Sequence, residues 1–290
     1  MSSQITTAFV EQYSANVQML SQQMGSQLRG AVDVESITGK NAFFEQVGSV
    51  AAVKKTSRHS DTPQLDTPHA RRRVSLEDYV WADLIDDVDK VRMLIDPTSS
   101  YAKAAAAAMN RAIDDVIITA LGGTAFTGVS GGTSTALPSA SKFATSNQSD
   151  GLTIAKLLAA KKRFDLQSVD PSIPRYIVCG PQQISDLLAT TEIKSSDFNT
   201  VKALAQGDID SFLGFKFITS NRLNFDGTNT DDRLCFAFTQ DAVKLAIGKD
   251  IMAKIDERND KNYSTQVYYC MSVGATRMEE VKVFQIPCNE

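Results

Sequence analysis

Asp96-Pro97-Thr98-Ser99-Ser100-Tyr101-Ala102-Lys103-Ala104-Ala105-Ala106-Ala107-Ala108-Met109-Asn110-Arg111-Ala112-Ile113-Asp114-Asp115-Val116-Ile117-Ile118-Thr119-Ala120-Leu121-Gly122-Gly123 is the stretch that sets the architecture of this chain. Asp96 is a cap residue, Pro97 needs no N–H at the first helical position, and the paired glycines mark an end. The alanine run Ala104 to Ala108 has high intrinsic helix propensity. Ala105, Met109, Ala112, Ile113, Val116, Ile117 and Ala120 fall on one apolar stripe. The pattern predicts a long helix over 101–121, roughly 30 Å in length, with small residues that let another layer approach closely.

Upstream, residues 41–83 change character. Phe43 to Val47, Val50 to Val53 and Arg73 to Val80 read as strands, the last alternating apolar and polar residues at period two. Between them, Lys54 to Arg72 carries Pro63 and Pro68 but no apolar cluster. Two strands around a coreless tip describe an extended β-excursion. A lone two-stranded ribbon is marginal in water, so such an arm needs a neighbour. Further upstream, Phe9, Tyr13, Val17, Leu20, Met24 and Leu28 recur at helical spacing with an uncharged, glutamine-rich opposite face. That arm suits docking onto another surface and equally suits an ordinary packed helix.

Downstream, residues 122–150 are rich in Gly, Ser and Thr and read as a loop or boundary. Residues 151–250 alternate helices and strands. A helix follows Thr153, a buried strand runs from Arg175 to Cys179, and a helix runs from Gln182 to Ala189 after Gly180-Pro181. Then come a short helix from Phe198 to Gln206, strands at Phe215 to Thr219 and Arg233 to Phe238 around a turn at Asp226 to Asn229, and a helix from Asp241 to Ile247 capped by Thr239. The remaining residues, 251–290, read as three long strands, Ile251 to Glu257, Thr265 to Val273 and Thr276 to Ile286. These strands are expected to pack on the long helix as a second, discontinuous subdomain. The fold class is α+β.

Composition narrows the function. The 290 residues carry a formal net charge of −4, and the pI is near 5.3, so no global basic field recruits nucleic acid. Direct reading of a DNA sequence is therefore not expected. No run is long and apolar enough for a membrane span, and Met1-Ser2-Ser3-Gln4 does not open a signal peptide. The chain is expected to be made and kept in cytoplasm. Cys179, Cys235, Cys270 and Cys288 form no paired motif and are expected to be reduced, the first three in strand-like apolar surroundings.

The candidate chemistry is thin. Gly128-Val129-Ser130-Gly131-Gly132 matches the nucleophile-elbow spacing, but no histidine follows Ser130, and His59 and His69 precede it in the wrong order. A hydrolase using Ser130 is the alternative from another class. The glycine-rich stretch lacks the Lys-Ser/Thr of a P-loop. His59, Asp61, Asp66 and His69 share a segment without helical spacing and read as exposed polar tip residues, so neither metal nor cofactor is expected. Asp86, Asp87 and Asp89 lack the glycine and ligand spacing of a calcium loop. Arg71, Arg72 and Arg73, at the base of the exposed arm, are candidates for salt links to Asp83, Asp86 and Asp87 of a neighbouring copy, with Phe43 and Phe44 as further inter-subunit contacts.

Arg71-Arg72-Arg73-Val74, Asp78-Tyr79-Val80-Trp81-Ala82-Asp83, Ile85-Asp86-Asp87-Val88-Asp89-Lys90-Val91-Arg92 and Asp96-Pro97-Thr98-Ser99-Ser100-Tyr101 lead into the long helix. With Phe236-Ala237-Phe238, Asp241-Ala242-Val243, Ala246 to Asp250 and Ser272 to Glu280, they resemble the major capsid proteins of tailed double-stranded DNA phages. The likeness covers nearly the whole chain through many moderate matches. It implies the HK97-type capsid fold. Its parts would be an N-terminal arm at 1–40, an extended β-hairpin E-loop at 41–83, a peripheral domain with the spine helix at 84–150, an α/β axial domain at 151–250, and peripheral strands at 251–290. It implies self-assembly into pentamers and hexamers of an icosahedral head around DNA held without sequence specificity. The chain has room for no scaffolding segment of its own, so a separate scaffolding protein is implied, with a portal protein and a decoration protein as further partners. Virion localisation and assembly in host cytoplasm follow. An encapsulin-like compartment is the alternative within the same fold.

Overall fold

The structure is a computed structural model and describes residues 21–58, 61–62, 64–85, 98–143, 150–189, 211–226 and 231–290. Among these, the strands β1 (Asp33–Ser36), β2 (Asn41–Val47), β3 (His69–Ser75) and β4 (Glu77–Ile85) precede the helix α1 (Thr98–Gly122). Next come β5 (Ala125–Thr127), β6 (Thr133–Thr135), α2 (Ile154–Leu166), β7 (Arg175–Cys179), α3 (Pro181–Ala189), β8 (Ser211–Phe212) and β9 (Phe215–Thr219). The strands β10 (Asp232–Thr239), β11 (Val243–Arg258), β12 (Ser264–Arg277) and β13 (Val283–Asn289) complete the chain. On α1, Ala105, Met109, Ile113 and Ile117 are buried as the stripe requires, joined by Ala107, Ile118 and Leu121. Thr153 caps α2, its hydroxyl oxygen accepting from the Lys156 N–H.

The strands form three sheets among the described residues, ordered β1-β11-β12-β4, β13-β10-β7-β9-β8 and β2-β3-β5-β6. The hairpin β2–β3 is antiparallel, with Phe43 opposite Arg73, Phe44 opposite Arg72 and Glu45 opposite Arg71. The five-stranded sheet mixes directions: β7 runs parallel to β9 and antiparallel to β10.

Several expectations give way to strand pairing. The run Arg73 to Val80 is two strands broken at Leu76, and its halves enter different sheets. Val50 to Val53 forms no strand, because nothing pairs with it and both valines are exposed. Residues 122–150 are more than a loop: β5 pairs with β3 at Arg72 and Arg73, and β6 folds back on β5. The elbow-like Gly128-Val129-Ser130-Gly131-Gly132 is the turn of that hairpin, with Gly128 and Gly131 at positive φ. A strand–turn–strand path is the wrong context for a nucleophile elbow, which needs a helix after the serine. The helix expected over 241–247 is a single 3-10 turn, Gln240–Ala242, followed by β11. Thr276 to Ile286 is interrupted by the 3-10 turn Glu280–Lys282, and β13 pairs with β10 along its whole length. The helix expected over 198–206 lies outside the described residues, as do most of the turn at 226–229 and the stripe positions before Gln22.

The chain divides into two compact units. One takes Met1–Ser26, Asp78–Ile113 and Lys249–Ser272. In it, Trp81 on β4 meets Tyr269 on β12 edge to face at 6.5 Å. Arg111 donates to the Gln22 side chain (2.9 Å) and the Gln23 carbonyl (3.1 Å), and Asn110 to the Met24 carbonyl (3.2 Å), so this part of the arm is tied to α1. The other unit takes Gln27–Glu77, Asp114–Gly248 and Val273–Glu290. It holds the five-stranded sheet, the hairpin and a buried aromatic pair, Phe164 and Phe215. Buried Asp114 accepts from the backbone N–H groups of Gln27 and Leu28, both at 3.1 Å. These boundaries differ from the expected ones: residues 114–150 and 273–290 cluster with the five-stranded sheet, because β13 is one of its strands.

Candidate inter-subunit surface

The arginine run resolves through strand alternation. Successive side chains on β3 point to opposite faces, so Arg71 and Arg73 share one face and Arg72 takes the other. On the first face Arg71 pairs with Glu45 at 2.8 Å and lies over the Phe43 ring at 5.6 Å. Arg73 lies over the Phe126 ring at 4.9 Å. Phe43, Phe126 and Val47 are exposed, so this face is a cation–aromatic patch open to solvent.

Arg72 does the opposite. It is only 7% exposed. Its Nε donates to the Met278 carbonyl at 2.9 Å, and its Nη2 donates to both Glu280 oxygens at 2.7 and 2.8 Å. Gln46, the polar neighbour across the hairpin, donates to the same Met278 carbonyl at 2.5 Å. Phe44 also points inward, into an apolar cluster with Ile37, Val74, Ala246 and Met278. Arg72 and Phe44, expected to reach a neighbouring copy, are turned inward in the single chain, where both tie the hairpin root to their own subunit. Glu280 was invisible to local reading, being 208 residues from Arg72.

Behind Glu280 sits Arg277, which is 0% exposed. Its guanidinium donates to the carbonyls of Leu121 (3.1 Å), Gly123 (2.6 Å) and Thr135 (3.1 Å). It thereby closes the C-terminal end of α1, where carbonyls have no intrahelical partner. Burial, opposed by the Glu280 charge and reinforced by Arg72, pushes its pKa below the ordinary arginine value. This geometry fixes the root of the hairpin.

The hairpin beyond that root is bare. The Gly48 N–H donates to the Pro68 carbonyl at 2.8 Å. From Val47 to Ala70 every described residue is exposed, including Val50, Val53 and Leu65. Asp83 is half-buried and accepts from the Leu84 N–H at 2.9 Å. Asp86 and Asp87 lie outside the described residues, so their pairing with the arginines stays a proposal. Among the described residues no cluster of three metal-ligating side chains occurs, and no helix is long and apolar enough to cross a membrane.

Solved structures share this fold over nearly their entire length. The capsid of cyanophage P-SCSP1u is 16% identical, with 97% of this chain and 93% of that one covered at a TM-score of 0.72. A Mycobacterium phage Che8 structure is 18% identical, covering 96% and 97% at 0.71. The cyanophage Pam1 capsid asymmetric unit is 14% identical, covering 98% and 97% at 0.70. The architecture is thus the HK97-type capsid fold. No curated protein matches the chain.

The chain belongs to the phage capsid protein family, whose model matches residues 5–290. It is a structural, non-enzymatic component of the virion, a major capsid protein of the phage head. Both the Ser130 hydrolase and the encapsulin-like compartment fall away.

Proposed function

We propose that copies of this chain associate as pentamers and hexamers and close into an icosahedral head around DNA, with the hairpin tip of each copy laid on its neighbour. The observation that carries this is the tip itself: a long excursion with every described residue from Val47 to Ala70 exposed and no core of its own. Exposed valines and leucine on a projecting arm need a partner surface, and a closed symmetric assembly supplies one for each copy. Residues 1–40 act as the arm and 41–83 as the E-loop. Residues 84–150 and 251–290 belong to the peripheral domain and 151–250 to the axial domain. Arg71, Arg73 and Phe43 on the open face of the hairpin contact a neighbour that offers Asp83, Asp86 and Asp87. A separate scaffolding protein, a portal protein and a decoration protein are the further partners. Packaged DNA is confined rather than read, consistent with a net charge of −4.

Replacing residues 49–67 by a short Gly-Ser turn tests this. The variant should keep the circular dichroism and urea midpoint of the full chain while losing shells in negative-stain images. Shells of normal size and yield from that variant would refute tip docking.

A further inference from the structure

The carboxylate of Glu280 stands between two buried guanidinium groups of different attachment. Arg72 belongs to the hairpin strand β3. Arg277 is held by three backbone carbonyls around the end of α1. In the state described, both Glu280 oxygens crowd onto a single nitrogen, Arg72 Nη2. Within this group two buried donors have no hydrogen-bond partner among the described residues, Arg72 Nη1 and Arg277 Nε. Glu280 Oε1 lies 3.8 Å from Arg277 Nε, just outside hydrogen-bond range. Closing that gap needs a shift of roughly 1 Å, because an N–H···O bond forms near 2.9 Å. The backbone carbonyl of Glu280 meanwhile accepts from the Ser141 hydroxyl at 2.8 Å, which pins the base of the side chain.

We propose that Glu280 is a two-position latch that passes between Arg72 at the hairpin root and Arg277 at the end of α1. With the hairpin in the attitude seen here, the carboxylate serves Arg72. When the hairpin is drawn aside, it moves onto Arg277 Nε and fills the donor that is empty now. One carboxylate thus keeps a buried charge partner in both attitudes, where a simple pair would break and strand a charge. The hairpin root then has two defined angles instead of a continuum. This rests on the reading that the hairpin is the element that reaches a neighbour. The test is made on the unassembled chain, so its failure is separate from a failure to form shells.

The experiment follows exchange of the Arg277 Nε–H by NMR in the full chain carrying ¹⁵N-arginine. In Arg72→Gln the latch account expects the carboxylate to settle on Arg277, slowing this exchange about tenfold relative to Arg72→Gln/Glu280→Ala, since a charge-assisted bond protects the donor. Equal rates in the two variants would overturn the proposal. Should the glutamine variant fail to fold, Arg72→Lys with and without Glu280→Ala makes the same comparison. Lysine keeps the charge but cannot hold both oxygens as the planar guanidinium does, so slower exchange with Glu280 present is again expected, and equal rates again overturn it.

Discussion

Side chains that look equivalent in the sequence separate by environment. Arg71, Arg72 and Arg73 are consecutive and chemically identical, yet the middle one is an internal anchor. Period-two alternation already splits the run, but which face is internal depends on Glu280 and Met278, far away in the chain. The cysteines show the reverse case, in which local reading suffices. Cys179, Cys235 and Cys270, read from the sequence as lying in apolar strands, sit on β7, β10 and β12, and all four cysteines are free and buried. Burial, with the Cys288 sulfur nearby, raises the Cys179 pKa to about 12. Cys235 is raised well above its ordinary value by the neighbouring Cys288 sulfur and by burial. A thiol with a pKa near 12 holds only about one part in ten thousand of reactive thiolate at pH 8. Iodoacetamide at pH 8 should therefore leave Cys179 and Cys235 unlabelled in the native chain and label them only in denaturant. Mass-spectrometric detection of rapid native labelling at either would contradict this burial.

Elements were legible where periodicity and packing agreed. The α1 stripe and the Thr153 cap needed only short-range chemistry. β11 shows why legibility ended. The Thr239 side chain caps no backbone N–H; its hydroxyl donates to the Asp241 carboxylate at 2.7 Å, and a single 3-10 turn forms. Beyond it Val243, Leu245 and Ile247 alternate, and parallel pairing with β1 holds Lys244 to Ile247 as strand. That partner lies about two hundred residues upstream, so no local window contains it. Gly274 on β12 gives a test at this scale. A Cβ there would fall 2.3 Å from the Ser75 carbonyl oxygen, at the break between β3 and β4. Gly274→Val should destabilise the chain by about 3 kcal/mol in urea unfolding, by forcing backbone apart in a packed region. Gly30→Ala, where a Cβ meets nothing within 4 Å, should change stability by less than about 0.5 kcal/mol. Equal urea midpoints for the two variants would contradict the close approach.

At the scale of the whole molecule, the coreless arm was the strongest physical signal in the sequence. It announced a need for neighbours before any comparison, because a hairpin without a core cannot stabilise its own tip. The family match supplies what the neighbours are: further copies in a phage head. A discontinuous subdomain was expected from the sequence, and the two compact units do alternate along the chain, changing within α1, β11 and β12 where composition changes little. Electron cryomicroscopy of particles formed by the full chain, resolved around residues 47–70, is the most direct test of the account. It predicts closed shells in which Val50, Val53 and Leu65 of every copy are buried against another copy. Closed shells with these tips projecting freely into solvent, or discrete monomers with or without a scaffold, would contradict it.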